Sequence, residues 1–218
     1  FDFFQPAQVQ SHLRALASLS SAKPSSVIFE PAAGRRMACT VMAYDYPALF
    51  SLITGLLAAS GFNILTGEIF TYARRQAGGR RMIIDYFVGE IDASADVTTW
   101  PTVFEKNITD TIALLENGKA EDARRRVNEM VADRLSDIPH AELPALYPVT
   151  LNLRPAEDYT RLQVIAQDTP AFLFAMSSAL ALQGISIERV RIRTEAGWII
   201  DDIDLVGRDG QPPTDPER

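Results

Sequence analysis

The chain has 218 residues, a formal net charge of −7, and 47% apolar against 22% charged residues. That balance fits one large or two small globular domains with real cores, and it argues against a general nucleic-acid or anionic-membrane binder. No apolar run approaches the roughly 20 residues of a membrane-spanning helix, and the lone Cys39 excludes an internal disulfide and suits a reducing cytoplasm, its apolar neighbours predicting a packing role.

In chain order, residues 7–19 have helical spacing and predict an amino-terminal helix. The chain opens on Phe1 rather than Met, so this helix is expected to connect to something upstream. Residues 27–31 read as a strand in a hairpin with the β-type run that follows, which ends in Asp45, Tyr46, Pro47 and Ala48. Proline near the first turn of a helix loses no hydrogen bond and has a preset φ, so it marks a helix start, whose φ/ψ also suits the alanine. Leu49, Phe50, Ile53, Leu56 and Leu57 then make one buried stripe, and Gly61 stands where a left-handed cap ends the helix. Residues 64–72 and 82–91 are expected strands around a turn at Gly78 and Gly79. Residues 101–117 and 120–138 have helical spacing with Gly118 between them, followed by a linker punctuated by Pro139, Pro144 and Pro148. A second strand at 151–155 leads to Asp168, Thr169, Pro170 and Ala171, a helix, and strands at 187–194 and 198–206 around Ala196 and Gly197. The closing residues 214–218 resemble a helix N-terminus. The expected division is a connector at 1–24, a first module at 25–117, a helical and Pro-rich linker at 118–148, and a second module at 149–218 cut off at its last helix.

The two modules are copies. TVMAYDYPALF at 40–50 matches QVIAQDTPAFL at 163–173, an offset of 123 that also carries Gly61 to Gly184 and Ile64 to Ile187. Register held through a strand, a turn, a helix and a second strand marks an internal duplication. The second hairpin turn is shorter by seven residues if 83–85 matches 199–201.

A strand ending in Asp-x-Pro, a helix, and then Gly-Phe-Asn-Ile or Gly-Ile-Ser-Ile opening a strand resembles the ACT domain, over about 38–92 and 161–209. The tandem arrangement is similar to the C-terminal regions of bacterial nitrogen-regulatory nucleotidyltransferases of the uridylyltransferase and adenylyltransferase kinds. The resemblance implies an α+β fold of two ferredoxin-like βαββαβ modules with antiparallel sheets and a helical connector. It also implies a small amino acid, glutamine as first guess, bound where modules meet, an upstream catalytic domain on the same chain, and homodimer formation through ACT sheets. Carried onto this sequence, the ligand-binding candidates are Asp45, Pro47, Ala48, Leu49, Asn63 and Ile64 in one copy. In the other they are Asp168, Pro170, Ala171, Phe172, Ser186 and Ile187. A helix N-terminus suits a ligand carboxylate, and an aspartate suits an α-ammonium group; Asp45 and Asp168 read equally as helix-start residues. The family usually has glycine after the proline, where this chain has Ala48 and Ala171.

Catalytic and metal constellations find little support. The histidines His12 and His140 stand far apart, and no phosphate-binding glycine loop or paired-aspartate nucleotidyltransferase motif occurs. No catalysis and no cofactor are therefore expected of the fragment. Asp201, Asp202 and Asp204 read as a solvated sheet face, with Arg191 opposite Asp202 and Arg189 opposite Asp204. Arg74, Arg75, Arg80 and Arg81 are a candidate partner contact, whereas Arg124, Arg125 and Arg126 have acidic helix neighbours. Trp100 and Trp198 read as packing residues. The competing functional reading is a pairing module that binds nothing small.

Overall fold

The β-type runs on either side of each Asp-x-Pro-Ala loop pair as antiparallel ladders in a computed structural model that describes residues 4–72, 80–138, 148–207 and 209–213. The first half runs α1 (Pro6–Ala17), β1 (Ser25–Pro31), β2 (Arg36–Tyr44), α2 (Leu49–Ala59), β3 (Phe62–Tyr72) and β4 (Met82–Ile91). Two helices follow, α3 (Trp100–Glu116) and α4 (Ala120–Ser136). The second half is β5 (Thr150–Pro155), β6 (Thr160–Gln167), α5 (Phe172–Leu182), β7 (Ser186–Glu195) and β8 (Trp198–Val206).

The expected α+β fold is present, and the two module sheets join into one of eight strands, ordered β1-β2-β4-β3-β7-β8-β6-β5. The hairpin strands β1 and β5 occupy the two edges, where a ferredoxin-like sheet normally places its last strand. The seam is the antiparallel pair β3:β7, in which Glu68 faces Arg191. These residues correspond to each other under the 123-residue offset, so a local two-fold axis passes between them. Thr54 and Ser177 are likewise equivalent, and their hydroxyls meet at 3.5 Å where α2 crosses α5.

Both module helices pack on the same face of the sheet. Gly55 makes room for this: a Cβ there would lie 2.5 Å from Val127 Cγ1 of α4 and 2.7 Å from the Phe174 ring of α5. Read in sequence as a connector, α4 presses Ala123, Val127 and Val131 into the core. On α3, Trp100 stacks on Phe104 at 5.1 Å and on Phe62 at 5.1 Å, with Phe29 of β1 edge-on at 5.8 Å. Its indole N–H donates to the Ser60 carbonyl at 2.9 Å. Trp100 and Cys39 are therefore packing residues as expected, but Trp198 is 43% exposed.

Candidate functional site

The two-fold arrangement brings each Asp-x-Pro-Ala loop beside the strand entry of the other module. The twelve ligand-site candidates fall into two cavities on that basis. One, of about 540 Å³, is lined by Asp168, Pro170, Ala171 and Phe172 of the second copy and by Asn63 and Ile64 of the first. The other, of about 190 Å³, is lined by Asp45, Pro47, Ala48 and Leu49 of the first copy and by Ser186 and Ile187 of the second. Each is thus composite, built from a helix start in one module and a strand start in its twin.

A buried carboxyl also lines each cavity, Asp201 in the larger and Asp85 in the smaller. They are equivalent residues, since Val41 faces Asp85 and its counterpart Val164 faces Asp201. The reading of Asp201 and Asp204 as parts of a solvated face is corrected here: they are 1% and 5% exposed. The sequence signal was present in the matched segments Ile-Ile-Asp at 83–85 and 199–201, where strand alternation turns the aspartate to the helix side. Arg191 does face Asp202, and Arg189 Asp204, as expected from the hairpin. The ion pairs run elsewhere: Arg161 holds Asp204 at 2.7 Å, Arg193 reaches Asp202 at 3.5 Å, and Arg191 takes Glu68 at 2.7 Å across the seam. Asp204 and Arg191 each lie between two strands and pair with one of the two residues that face them, Arg161 on β6 and Glu68 on β3; only the contact from Arg193 to Asp202 is diagonal.

The conformation expected of the two alanines is also corrected. Ala48 has φ 63° and ψ 13°, and Ala171 has φ 58° and ψ 16°, so both are left-handed rather than helix-start. An L-residue with a Cβ loses about 1–2 kcal/mol there against right-handed backbone, which is why glycine suits this position. Each alanine is the N-cap of its helix and brings no side-chain cap, so the helix start offers its backbone N–H groups without that partner.

Electrostatics separates the twins. Asp45 N–H donates to the Arg81 carbonyl at 2.9 Å, and Asp168 N–H donates to the Gly197 carbonyl at 2.9 Å, so Arg81 and Gly197 are equivalent. In the smaller cavity the Arg81 guanidinium lies 3.1 Å from Asp45 Oδ2 and 2.6 Å from Glu188 Oε2. Burial raises the Asp45 pKa, Arg81 pulling it back and Glu188 adding to the rise. Beneath it, complete burial and the Asp45 charge push the Asp85 carboxyl well above the usual carboxylate range, and its Oδ1 has no hydrogen-bond partner among the described residues. In the larger cavity Gly197 takes the place of Arg81, and the guanidinium groups that line it, Arg35 and Arg134, come from other elements. Burial raises the Asp168 pKa, moderated by a hydrogen bond from Asn63. Burial pushes Asp201 up to about 7; the Arg193 backbone N–H at 3.3 Å opposes this and the Asp168 charge adds to it.

Arg80 and Arg81 were expected at a partner-contact patch, and the structure commits both internally. Arg80 grips Glu116 with two hydrogen bonds of 2.8 and 2.9 Å and lies 4.0 Å over the Tyr44 ring. Arg74, Arg75 and His140 lie outside the described residues. Two helix arginines are paired as their spacing suggested, Arg124 with Glu121 and Arg125 with Asp122, whereas Arg126 reaches Asp110 of α3 at 3.4 Å. His12 is buried edge-on to Phe4 at 4.6 Å. Among the described residues no group of three His, Cys, Asp or Glu is placed to hold a metal ion, and no helix is long and apolar enough to cross a membrane.

No protein-family model matches the chain. The bifunctional uridylyltransferase/uridylyl-removing enzyme of Rhodopseudomonas palustris is 28% identical over 158 residues, 71% of this chain and 16% of that enzyme. The chain therefore spans about a sixth of the length of the curated relative it matches. Among solved structures, the aspartate kinase from Synechocystis is similar over 80% of this chain and 24% of that one, with 14% identity and a TM-score of 0.35. With its duplicated Asp-x-Pro loops and its two antiparallel modules joined at β3:β7, the chain resembles a tandem of ACT-type modules and is similar to a region of that uridylyltransferase.

Proposed function

We propose that this chain is an amino-acid-responsive regulatory region of a nitrogen-metabolism nucleotidyltransferase, acting on a catalytic domain elsewhere in the same polypeptide. The observation that carries the reading is the composite cavity of about 540 Å³, in which a helix start and Asp168 of one module face Asn63 and Ile64 of the other. A zwitterion has the matching chemistry. Its carboxylate accepts from the backbone N–H groups at the start of α5, and its ammonium meets the aspartates. Because the walls belong to different modules, a bound ligand favours one arrangement of the pair over another. Control of this kind needs differential affinity worth about 1–3 kcal/mol.

The test is a thermal-shift screen of the chain against the twenty amino acids, L-glutamine first, followed by calorimetry. A ligand at 100 times its dissociation constant adds about 2.7 kcal/mol of stability. A selective shift that disappears in Asp45→Ala/Asp168→Ala supports the reading, and undiminished affinity in that double variant refutes it. The second reading is a ligand-free pairing module. It is favoured by the exposed edge strand β5, where Leu151 is 59% and Leu153 62% exposed. Under it no amino acid shifts the transition, and sedimentation reports self-association.

A further inference from the structure

We infer that the two composite cavities are not both ligand sites: only the larger is open to a ligand cation, which it takes as a primary ammonium group against Asp168 with Asp201 beside it, because in the smaller Arg81 already pairs with the equivalent loop aspartate, Asp45. This deepens the amino-acid reading and rests on it for the ligand's identity, but not for the cation.

The argument is an internal comparison. Backbone and register are duplicated at both cavities, down to the 2.9 Å hydrogen bond from each loop aspartate N–H to the hairpin residue opposite. One difference falls at that hairpin residue. In the first copy it is Arg81, whose guanidinium pairs with Asp45 and Glu188. In the second it is Gly197, and a Cβ built on it meets nothing within 4 Å. The position equivalent to Glu188 is Leu65, so the larger cavity loses the accessory carboxylate along with the arginine. What remains beside the loop is a pair of carboxyls, one of them 1% exposed, with Asn63 as the polar neighbour of Asp168. Glu90, Asp92, Arg35 and Arg134 also line the cavity, with Arg134 held by Asp92 at 3.1 Å and Arg35 donating to the Ile91 carbonyl at 2.7 Å. Two carboxyls sharing a poorly solvated site repel when both ionise, and a cation brought between them relieves that repulsion. Arg81 shows what chemistry the twin sets against its loop aspartate, which it bridges to Glu188: a donor-rich, permanently charged nitrogen group. Size agrees, since the cavity with the arginine has about 190 Å³ left and the cavity without it about 540 Å³.

The experiment uses the full chain carrying carboxyl-labelled aspartate, titrated by NMR with ethylammonium chloride, an amine with no carboxylate, against sodium chloride of equal ionic strength. Calorimetry with the twenty amino acids runs beside it. The expected result is a saturable shift of the Asp168 and Asp201 carboxyls alone in the wild type. Asp45 joins them in Arg81→Met, which keeps the stem and removes the charge. Any amino acid that binds should do so with one equivalent in the wild type and two in Arg81→Met. Ethylammonium shifts that are absent, or spread equally over Asp45 and Asp85, overturn the inference whether or not Arg81→Met folds. Two equivalents of amino acid in the wild type overturn it while leaving the sensing role intact. Shifts at Asp168 and Asp201 with no amino acid bound support the cation site and remove the sensing role.

Discussion

Strands β2 and β6 occupy equivalent places in the two modules, yet they are buried differently. In β2 seven consecutive residues, 37–43, are buried, whereas β6 alternates buried and half-buried from end to end. The cause lies on the sheet face away from α2 and α5. Over the first module, α1 and the residues after it lay Leu16 and Leu19 against Met42, Met82 and Ile84. Over the second module the corresponding face carries Arg161, Gln163, Asp202 and Asp204, joined by ion pairs and hydrogen bonds. The helix side repeats the contrast, with Phe29 of β1 under Trp100 and Phe104 while its counterpart Leu153 is 62% exposed. Trp198 stands where Met82 stands in the first copy, and it is 43% exposed because no helix among the described residues lies over it as α1 lies over Met82. Duplication copied the backbone, and the flanking helices then set the solvent environment of each copy. Among the described residues the first module is braced on both faces, and the second meets the interface with fewer supports.

The largest expected effect sharpens that contrast. Phe104→Ala should cost about 3–5 kcal/mol, as for other fully buried aromatics, because it empties the stack between Trp100 and Phe29. Leu153→Ala, at the edge without such cover, should cost less than about 0.5 kcal/mol. Denaturant unfolding monitored by Trp fluorescence measures both. Equal losses would mean that β5 is covered in solution.

The next effect concerns the two cavities. The folded-state pKa of Asp201 is about 7, above its unfolded value, so the folded protein holds the proton more tightly. That contribution is fully present below the unfolded pKa near 4 and is lost as pH rises to about 7, with a slope approaching 1.4 kcal/mol per pH unit. Asp201→Asn should flatten the dependence between pH 4.5 and 7. A cationic ligand favours the ionised carboxyl, so its affinity should rise over the same interval and level off above it. Stability that rises through this window in the wild type would show that other carboxylates outweigh Asp201.

Much of this architecture was legible in the sequence because period-2 and period-3.6 patterns report directly which face is buried. The Asp-x-Pro-Ala repeat placed both loops, and the apolar run at 37–43 against the alternation at 160–167 already encodes the different cladding. The composite nature of the sites was not legible. It depends on β3:β7 pairing across 123 residues, and nothing local in either strand specifies that partner. The alanine backbone was misread for a related reason. A proline followed by alanine is compatible with a right-handed start, and the glycine usual at this position in the family was the signal for the left-handed turn that both alanines adopt. The salt-bridge pattern was missed because Arg191 and Asp204 each lie between two strands, and the partners they take, Glu68 and Arg161, stand on β3 and β6, which the local β7–β8 hairpin does not specify.

A smaller effect tests the seam itself. Glu68 and Arg191 are equivalent residues that meet on the two-fold axis with opposite charge. Pairing a first module with another first module would oppose two glutamates, and two second modules would oppose two arginines, so the charges favour the pairing within the chain. Glu68→Arg alone should lower stability by about 1 kcal/mol, and Glu68→Arg with Arg191→Glu should restore most of it, with coupling in the range of partly exposed pairs. A cycle showing no coupling would leave the seam specified by packing alone, through Ile192 seated over Gly67.

The smallest effect bears on the alanines. Glycine at 48 or 171 removes a left-handed penalty of about 1–2 kcal/mol, but it also adds unfolded-chain entropy worth about 0.4–1 kcal/mol. The balance favours the folded state, so Ala48→Gly and Ala171→Gly should each stabilise by about 0.5–1 kcal/mol in thermal or urea unfolding. If strain at the two positions is alike, as φ values of 63° and 58° indicate, the gains should be equal and additive. They should part company in function. Ala171 lines the cavity open to a cation and Ala48 the one occupied by Arg81, so only Ala171→Gly, which gives a ligand closer access to the backbone, should change amino-acid affinity. A loss of stability on either change would mean that the loop relaxes to right-handed backbone in solution, and a change of affinity at Ala48→Gly would place a ligand in the smaller cavity.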